Sequence, residues 1–121
     1  MDKLVNVKKN EGVLILEIVP PKVVGEDDIE ALYDEIMDEI PAGESPRIVV
    51  DFDNVEFIST GFLGQLTSVK NSLAKQDGRL ILCSIRPTQR EIFRVTHLEH
   101  FFELADDIPK ALEMLEKPPR L

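Results

Sequence analysis

The chain has 121 residues, 43% of them hydrophobic and 31% charged, which suits one packed domain and excludes a disordered chain. Its net charge of −9 would repel a phosphate backbone or an anionic lipid surface, so nucleic acid and membranes are not expected partners. A single cysteine, Cys83, and an N-terminus without a secretory pattern favour one cytoplasmic domain over residues 1–121.

The N-terminal segment predicts a β-hairpin. Two apolar, β-branched runs, residues 4–7 and 13–19, flank a short segment that contains Asn10 and Gly12. Both residue types tolerate the positive φ of a turn. Pro20 then ends the second strand, because proline has no N–H to donate to a neighbouring strand.

A helix and a buried strand are expected next. Apolar residues recur every three or four positions from Ile29 to Ile40, and the carboxylates of residues 26–28 suit the positive end of a helix. This amphipathic helix should end at Pro41. The β-branched segment 47–52 predicts a strand that is buried on both faces.

The second half of the chain alternates helices with strands. A helix is predicted over 60–76, ended by Gly78 in the left-handed conformation, and a strand over 79–85 follows it. The next helix begins at Pro87 and should turn Ile92, Phe93 and Val95 inward. A short strand over 101–104 and a last helix, capped by Asp106 and Asp107, complete the chain. The sequence therefore predicts an α/β fold: a mixed sheet of four to five strands, with an N-terminal hairpin and then mostly parallel strands, covered by about four helices.

The sequence lacks the motifs of common enzymes and cofactor sites. None of its six glycines belongs to a phosphate-binding loop, and Phe57 stands where the nucleophile elbow of hydrolases needs glycine. Cys83 lies in an apolar strand, where a thiol is usually a core residue, and His97 and His100 have no partners at metal-ligand spacing. We therefore expect no catalytic activity, no cofactor and no metal.

Two hydroxyls at the start of the 60–76 helix have both a structural and a functional interpretation. Ser59 could cap the helix, with Gly61 and Gly64 permitting close packing. Alternatively, Ser59 or Thr60 could carry a phosphate, which the free N–H groups and positive dipole of a helix N-terminus favour.

The order and residues of these elements resemble the STAS domain family, the fold of bacterial anti-sigma factor antagonists. The most telling segments are DNVEFISTGFLG at residues 53–64 and KQDGRLILC at residues 75–83. In antagonists of this family the loop typically reads Asp-Ser-Ser-Gly-Leu-Gly or Asp-Ser-Thr-Gly-Leu-Gly, and a partner kinase phosphorylates the hydroxyl directly after the aspartate.

The resemblance implies Thr60 as the phosphate acceptor and Ser59 as the alternative. A gapless alignment on Leu63 and Gly64 places Thr60 at the acceptor and Ser59 at the aspartate, whereas sliding the Ser-Thr-Gly sequence makes Ser59 the acceptor and places Ile58 at the aspartate. In either alignment this chain lacks the aspartate.

The resemblance further implies a regulatory protein-binding module whose partner is an anti-sigma factor or a related serine/threonine kinase. The residues expected to contact the partner are Lys22, Asp53, Ser59, Thr60, Gly61 and Gln65. The alternative is a non-phosphorylated STAS scaffold or adaptor in a bacterial signalling complex. We expect a monomer or a weak dimer, since an edge strand of the hairpin could pair.

Overall fold

The structure, a computed structural model, describes residues 3–43 and 45–118. Its elements there are β1 (Val5–Asn10), β2 (Val13–Ile18), β3 (Lys22–Val23), α1 (Glu26–Glu39), β4 (Arg47–Asp51), β5 (Phe57–Ile58), α2 (Thr60–Ala74), β6 (Arg79–Cys83), α3 (Pro87–Val95), β7 (Glu103–Ala105) and α4 (Ile108–Leu115). Five strands form one sheet in the order β1-β2-β4-β6-β7, with β1 antiparallel to β2 and the other pairs parallel. The predicted mixed sheet with four helices is confirmed.

The hairpin turn is tighter than the sequence suggested. Asn10 pairs with Val13, so Asn10 is the last strand residue and the turn consists of Glu11 and Gly12 alone. Their φ angles are +48° and +82°, and two successive residues with positive φ make a turn that matches the twist of the strands. Glu11 therefore occupies a turn position that we expected Asn10 to fill.

The two faces of the sheet are covered unequally, because alternate strand residues point to opposite sides. Helices α1, α2 and α3 bury one face, on which Leu16, Ile48 and Leu82 lie. On the other face α4 packs with Ala111 and Leu115 against a smaller apolar cluster. The strand residues of that cluster are Val13, Ile15, Val49, Ile81, Cys83 and Ala105.

Helix α2 ends in a way that differs from the prediction for Gly78. The left-handed residue is Asp77, with φ +54°, whereas Gly78 has no positive φ. The N–H of Gly78 donates to the Leu73 carbonyl at 2.7 Å, and that of Asp77 to the Ala74 carbonyl at 3.2 Å. A Cβ on Gly78 would lie 2.9 Å from the Pro46 carbonyl oxygen, so close approach of backbone explains why glycine stands there.

The segment from α3 to β7 corrects two further predictions. Val95 is 57% exposed rather than inward, because the buried face of α3 runs through Gln89 and Phe93, one turn apart, and Val95 lies two residues past Phe93. The last strand begins at Glu103. Phe102 lies in the preceding turn and packs edge-on against Phe93, with ring centroids 5.8 Å apart.

Helix α4 begins where the acidic pair was expected to cap it. Asp107 is the N-cap, and its carboxylate accepts a hydrogen bond from the Lys110 N–H at 2.9 Å. Within residues 3–43 and 45–118, none of the helices combines the length and apolarity that crossing a membrane requires.

Candidate functional site

Two short strands outside the main sheet support the segment that carries Ser59 and Thr60. Strands β3 and β5 pair in parallel, with Lys22 beside Phe57. The Ser59 N–H then donates to the Val23 carbonyl at 3.0 Å. These backbone bonds place Ser59 directly before α2, whose first residue is Thr60.

The two hydroxyls differ in exposure, and neither caps the helix. Ser59 is half-buried and is the N-cap residue of α2, as predicted, but its hydroxyl accepts no capping hydrogen bond from the described residues, so the predicted bond is wrong. Thr60 is exposed, and the first turn of α2 contains no acidic residue. The Thr60 hydroxyl is therefore accessible at a helix start that a negative group would stabilise.

The loop before β5 is held from the other side by α3 and the residue that precedes it. Arg86 Nε and Gln89 Nε2 both donate to the Val55 carbonyl, at 2.9 and 3.0 Å, and Arg86 Nη2 donates to the Asp53 carbonyl at 3.2 Å. Gln89 is buried, and its Oε1 has no hydrogen-bond partner among the described residues. Sequence reasoning missed Gln89, although its position one turn before Phe93 marks the inward face of α3.

A shallow groove of about 460 Å³ lies between α1 and α2, and Gly61, which directly follows Thr60, belongs to its lining. Three carboxylates of α1, those of Glu26, Glu30 and Asp34, make one wall acidic, and Gly61 and Gln65 of α2 line the opposite side. Ile29 and Tyr33 complete the groove. The helices approach closely at its start, where a Cβ on Gly61 would lie 3.4 Å from Ile29 Cδ1.

Most of the residues expected to contact a partner lie along one strip of surface. Lys22 is exposed, with Nζ 5.8 Å from the centroid of the Phe57 ring, and Phe57 is itself 57% exposed. The strip continues through Ser59 and Thr60 to the groove that Gly61 and Gln65 line. Asp53 is exposed at the start of the loop that leads to β5, where its backbone carbonyl accepts a hydrogen bond from Arg86.

The surface of α2 is open at Gly64. A Cβ on Gly64 would meet no atom of the described residues within 4 Å, so Gly64 does not serve the close packing that we expected of it. Gly61 and Gly64 are both exposed. A second molecule could therefore approach the backbone of α2 closely in this region.

Cys83 is confirmed as a core residue. It is fully buried in β6, and burial raises the pKa of its thiol from 9.0 to about 12. Its Sγ lies 3.7 Å from the Oδ1 atom of buried Asp51, which also disfavours the thiolate. In the part of the chain that the structure describes, no three His, Cys, Asp or Glu side chains are grouped to hold a metal ion.

Comparison with known proteins gives consistent results. The family model of the STAS domain matches residues 5–111. BtrV of Bordetella bronchiseptica, provisionally named an anti-sigma factor antagonist, is 30% identical over 84 residues, which cover 69% of this chain and 72% of BtrV.

Solved structures share the fold, and two of them illustrate the similarity. An anti-sigma-factor antagonist (STAS) domain protein from Planctomyces limnophilus has a TM-score of 0.82 at 18% identity, covering 93% of this chain and 98% of its own. Phosphorylated SpoIIAA from Bacillus has a TM-score of 0.66 at 18% identity, covering 92% of this chain and 98% of its own.

Proposed function

Since this chain belongs to the STAS domain family, we propose that it acts as an anti-sigma factor antagonist that binds an anti-sigma factor with serine/threonine kinase activity and is released when Thr60 is phosphorylated. The observation that carries the proposal is the exposed hydroxyl of Thr60 at the first residue of α2. The contact surface consists of Lys22, Asp53, Ser59, Thr60, Gly61 and Gln65.

The position of Thr60 lets the fold accept a phosphate. A phosphothreonine carries about −1.5 to −2 charges at neutral pH, and the N-terminus of a helix stabilises negative charge. Because Thr60 is exposed and no side chain among the described residues caps α2, a phosphate on Thr60 would replace no capping hydrogen bond there. Phosphorylation should therefore leave the folded domain intact.

The same phosphate should weaken partner binding. Close to Thr60 lie the exposed ring of Phe57 and the exposed glycines Gly61 and Gly64, so a partner bound to this surface would cover the hydroxyl closely. A dianion placed in such a contact must lose its hydration, which is costly unless a cation meets it. Lys22 is the one cation among the six proposed contact residues, and its ammonium lies over Phe57.

The test is incubation of the purified chain with ATP, Mg²⁺ and the kinase encoded beside its gene, followed by intact-mass measurement. We expect a gain of one phosphate that Thr60→Ala abolishes and Ser59→Ala, the matched control, retains. Thr60→Glu, which adds about half the charge of a phosphate, should bind the kinase more weakly than the wild type while unfolding at a similar temperature. Phosphorylation of Thr60→Ala but not of Ser59→Ala would instead make Ser59 the acceptor.

One observation favours a second candidate, a STAS scaffold or adaptor that is never phosphorylated. Ser59 occupies the position of the aspartate that precedes the acceptor in the loop of typical antagonists, so an acidic neighbour of the acceptor is missing. Under this alternative neither hydroxyl gains phosphate, and Thr60→Glu binds its partner as tightly as the wild type.

A further inference from the structure

The distribution of exposed apolar and charged side chains along the strip indicates what kind of surface it binds. Among the described residues, four large hydrophobic side chains are exposed: Val24, Phe57, Val95 and Phe101. Two of these belong to the strip. Phe57 begins β5, which leads to Ser59 and Thr60, and Val24 directly follows β3, the strand that pairs with β5.

Phe57 and Val24 each expose more than half of their surface. Phe57 is 57% exposed and Val24 is 52% exposed. By contrast Phe101 is 37% exposed and packs edge-on against Phe102 at 5.0 Å, with Lys70 Nζ 4.5 Å from its ring centroid. Exposed aromatic rings are enriched at the centres of protein interfaces, where they contribute much of the binding energy.

The acidic wall at the other end of the strip indicates the charge of the occupant. Helix α1 has eight acidic residues and no basic one, which leaves 15 of the 23 acidic residues against all 14 basic residues in the rest of the chain. Nearly all of the net charge of −9 therefore lies in α1. The exposed residues Glu26, Glu30 and Asp34 follow one another at intervals of four and line the groove beside Gln65.

We propose that Phe57 and Val24 form the apolar anchor of the partner interface, and that the bound face of the anti-sigma factor kinase carries an apolar pocket for them and Lys or Arg side chains opposite Glu30 and Asp34. This inference rests on the proposed function and assigns the chemistry of its partner. Charge complementarity with the groove selects a basic partner surface. Gln65, which lines the groove, is five residues past Thr60 and about 7.5 Å along α2. The Lys or Arg side chains of the partner therefore meet the groove rather than the phosphate acceptor.

The test measures binding of the purified kinase encoded beside the gene by surface plasmon resonance at low and physiological salt. Phe57→Ser should raise Kd by about tenfold or more, as removal of an interface anchor does. The matched control is Phe101→Ser, which should leave Kd within twofold, because Phe101 lies beside Lys70, ten residues and about 15 Å further along α2 than Thr60. Thermal unfolding of both variants checks that each still folds.

A second experiment tests the charge complementarity with a double variant, Glu30→Gln with Asp34→Asn, which removes two negative charges from α1. It should slow association by about three- to tenfold at low salt and flatten the salt dependence of the rate, because complementary charges mainly accelerate encounter. The control, Glu113→Gln with Glu116→Gln, removes two exposed carboxylates in and just after α4, on the other face of the sheet, and should change neither quantity.

The outcomes separate this inference from the proposed function. If the wild-type chain binds the kinase and gains phosphate at Thr60, but Phe57→Ser and the α1 double variant bind as the wild type does, the inference is wrong and the proposed function stands. If the wild-type chain neither binds the kinase nor gains phosphate, the proposed function fails, and the assigned partner chemistry fails with it.

Discussion

The same substitution, glycine to alanine, should have opposite effects on stability at two positions of this chain. Gly64 is exposed within α2, and a Cβ there would meet nothing within 4 Å. Alanine is favoured over glycine inside a helix by about 1 kcal/mol, so Gly64→Ala should raise the free energy of unfolding by roughly that amount.

Gly78→Ala should lower the free energy of unfolding. The new Cβ would lie 2.9 Å from the Pro46 carbonyl oxygen and 3.0 Å from that of Leu73, and the Leu73 carbonyl is the acceptor of the Gly78 N–H. Both carbonyl oxygens belong to the backbone, so the clash with the new Cβ can be relieved only if the C-terminus of α2 or the segment before β4 moves. Forcing atoms into a packed site costs about 1–3 kcal/mol.

Differential scanning calorimetry or fluorimetry can measure both effects. For a domain of this size about 1 kcal/mol corresponds to a shift in Tm of roughly 3–6 °C. We therefore expect Gly64→Ala to unfold a few degrees above the wild type and Gly78→Ala a few degrees or more below it. A lower Tm for Gly64→Ala, or an unchanged Tm for Gly78→Ala, would refute the reasoning about space at these two positions.

Three further predictions concern the core, the thiol and the loop. Leu66→Ala removes a fully buried side chain of α2 and should cost about 2–5 kcal/mol in urea unfolding, whereas a loss below about 0.5 kcal/mol would mean that Leu66 does not face the core. Cys83 should resist thiol reagents at pH 8 until urea is added, because it is buried. Between pH 9 and about 12 the thiol ionises in the unfolded chain but not in the folded one, so the free energy of unfolding should fall in this range, and it should fall less in Cys83→Ala. Arg86→Ala removes hydrogen bonds to the carbonyls of Val55 and Asp53 and should speed amide exchange in residues 53–59 while changing global stability little; unchanged exchange there would show that these bonds do not hold the loop.

Much of the fold could be predicted because its strongest determinants are local. The hairpin, the helix that begins at Glu26 and the buried strand at Arg47–Asp51 follow from periodicity and from turn residues close in the chain. The need for glycine at position 78 arises instead from the Pro46 carbonyl, 32 residues earlier. No local pattern reveals such an approach, so the sequence analysis assigned Gly78 the wrong role.

The candidate site was less predictable than the fold. The Ser59–Thr60 pair could be located from its position at a helix start and from the family resemblance. The bonds that hold its loop could not, because Arg86 and Gln89 reach Val55 across more than 30 residues. The exposure of Phe57 could not be predicted from the sequence either, since an aromatic residue in a β-branched segment is more often buried than exposed.

The separate covering of the two sheet faces has a consequence for biosynthesis. The strands that carry Val49 and Ile81 can pair as soon as β6 has left the ribosome, but α4, which buries their second face, is completed 32 residues later, at Leu115. At about 5–20 residues per second this delay lasts roughly 2–6 s. A sheet that forms in that interval presents a bare apolar surface, on which chaperones or neighbouring nascent chains can act before α4 docks.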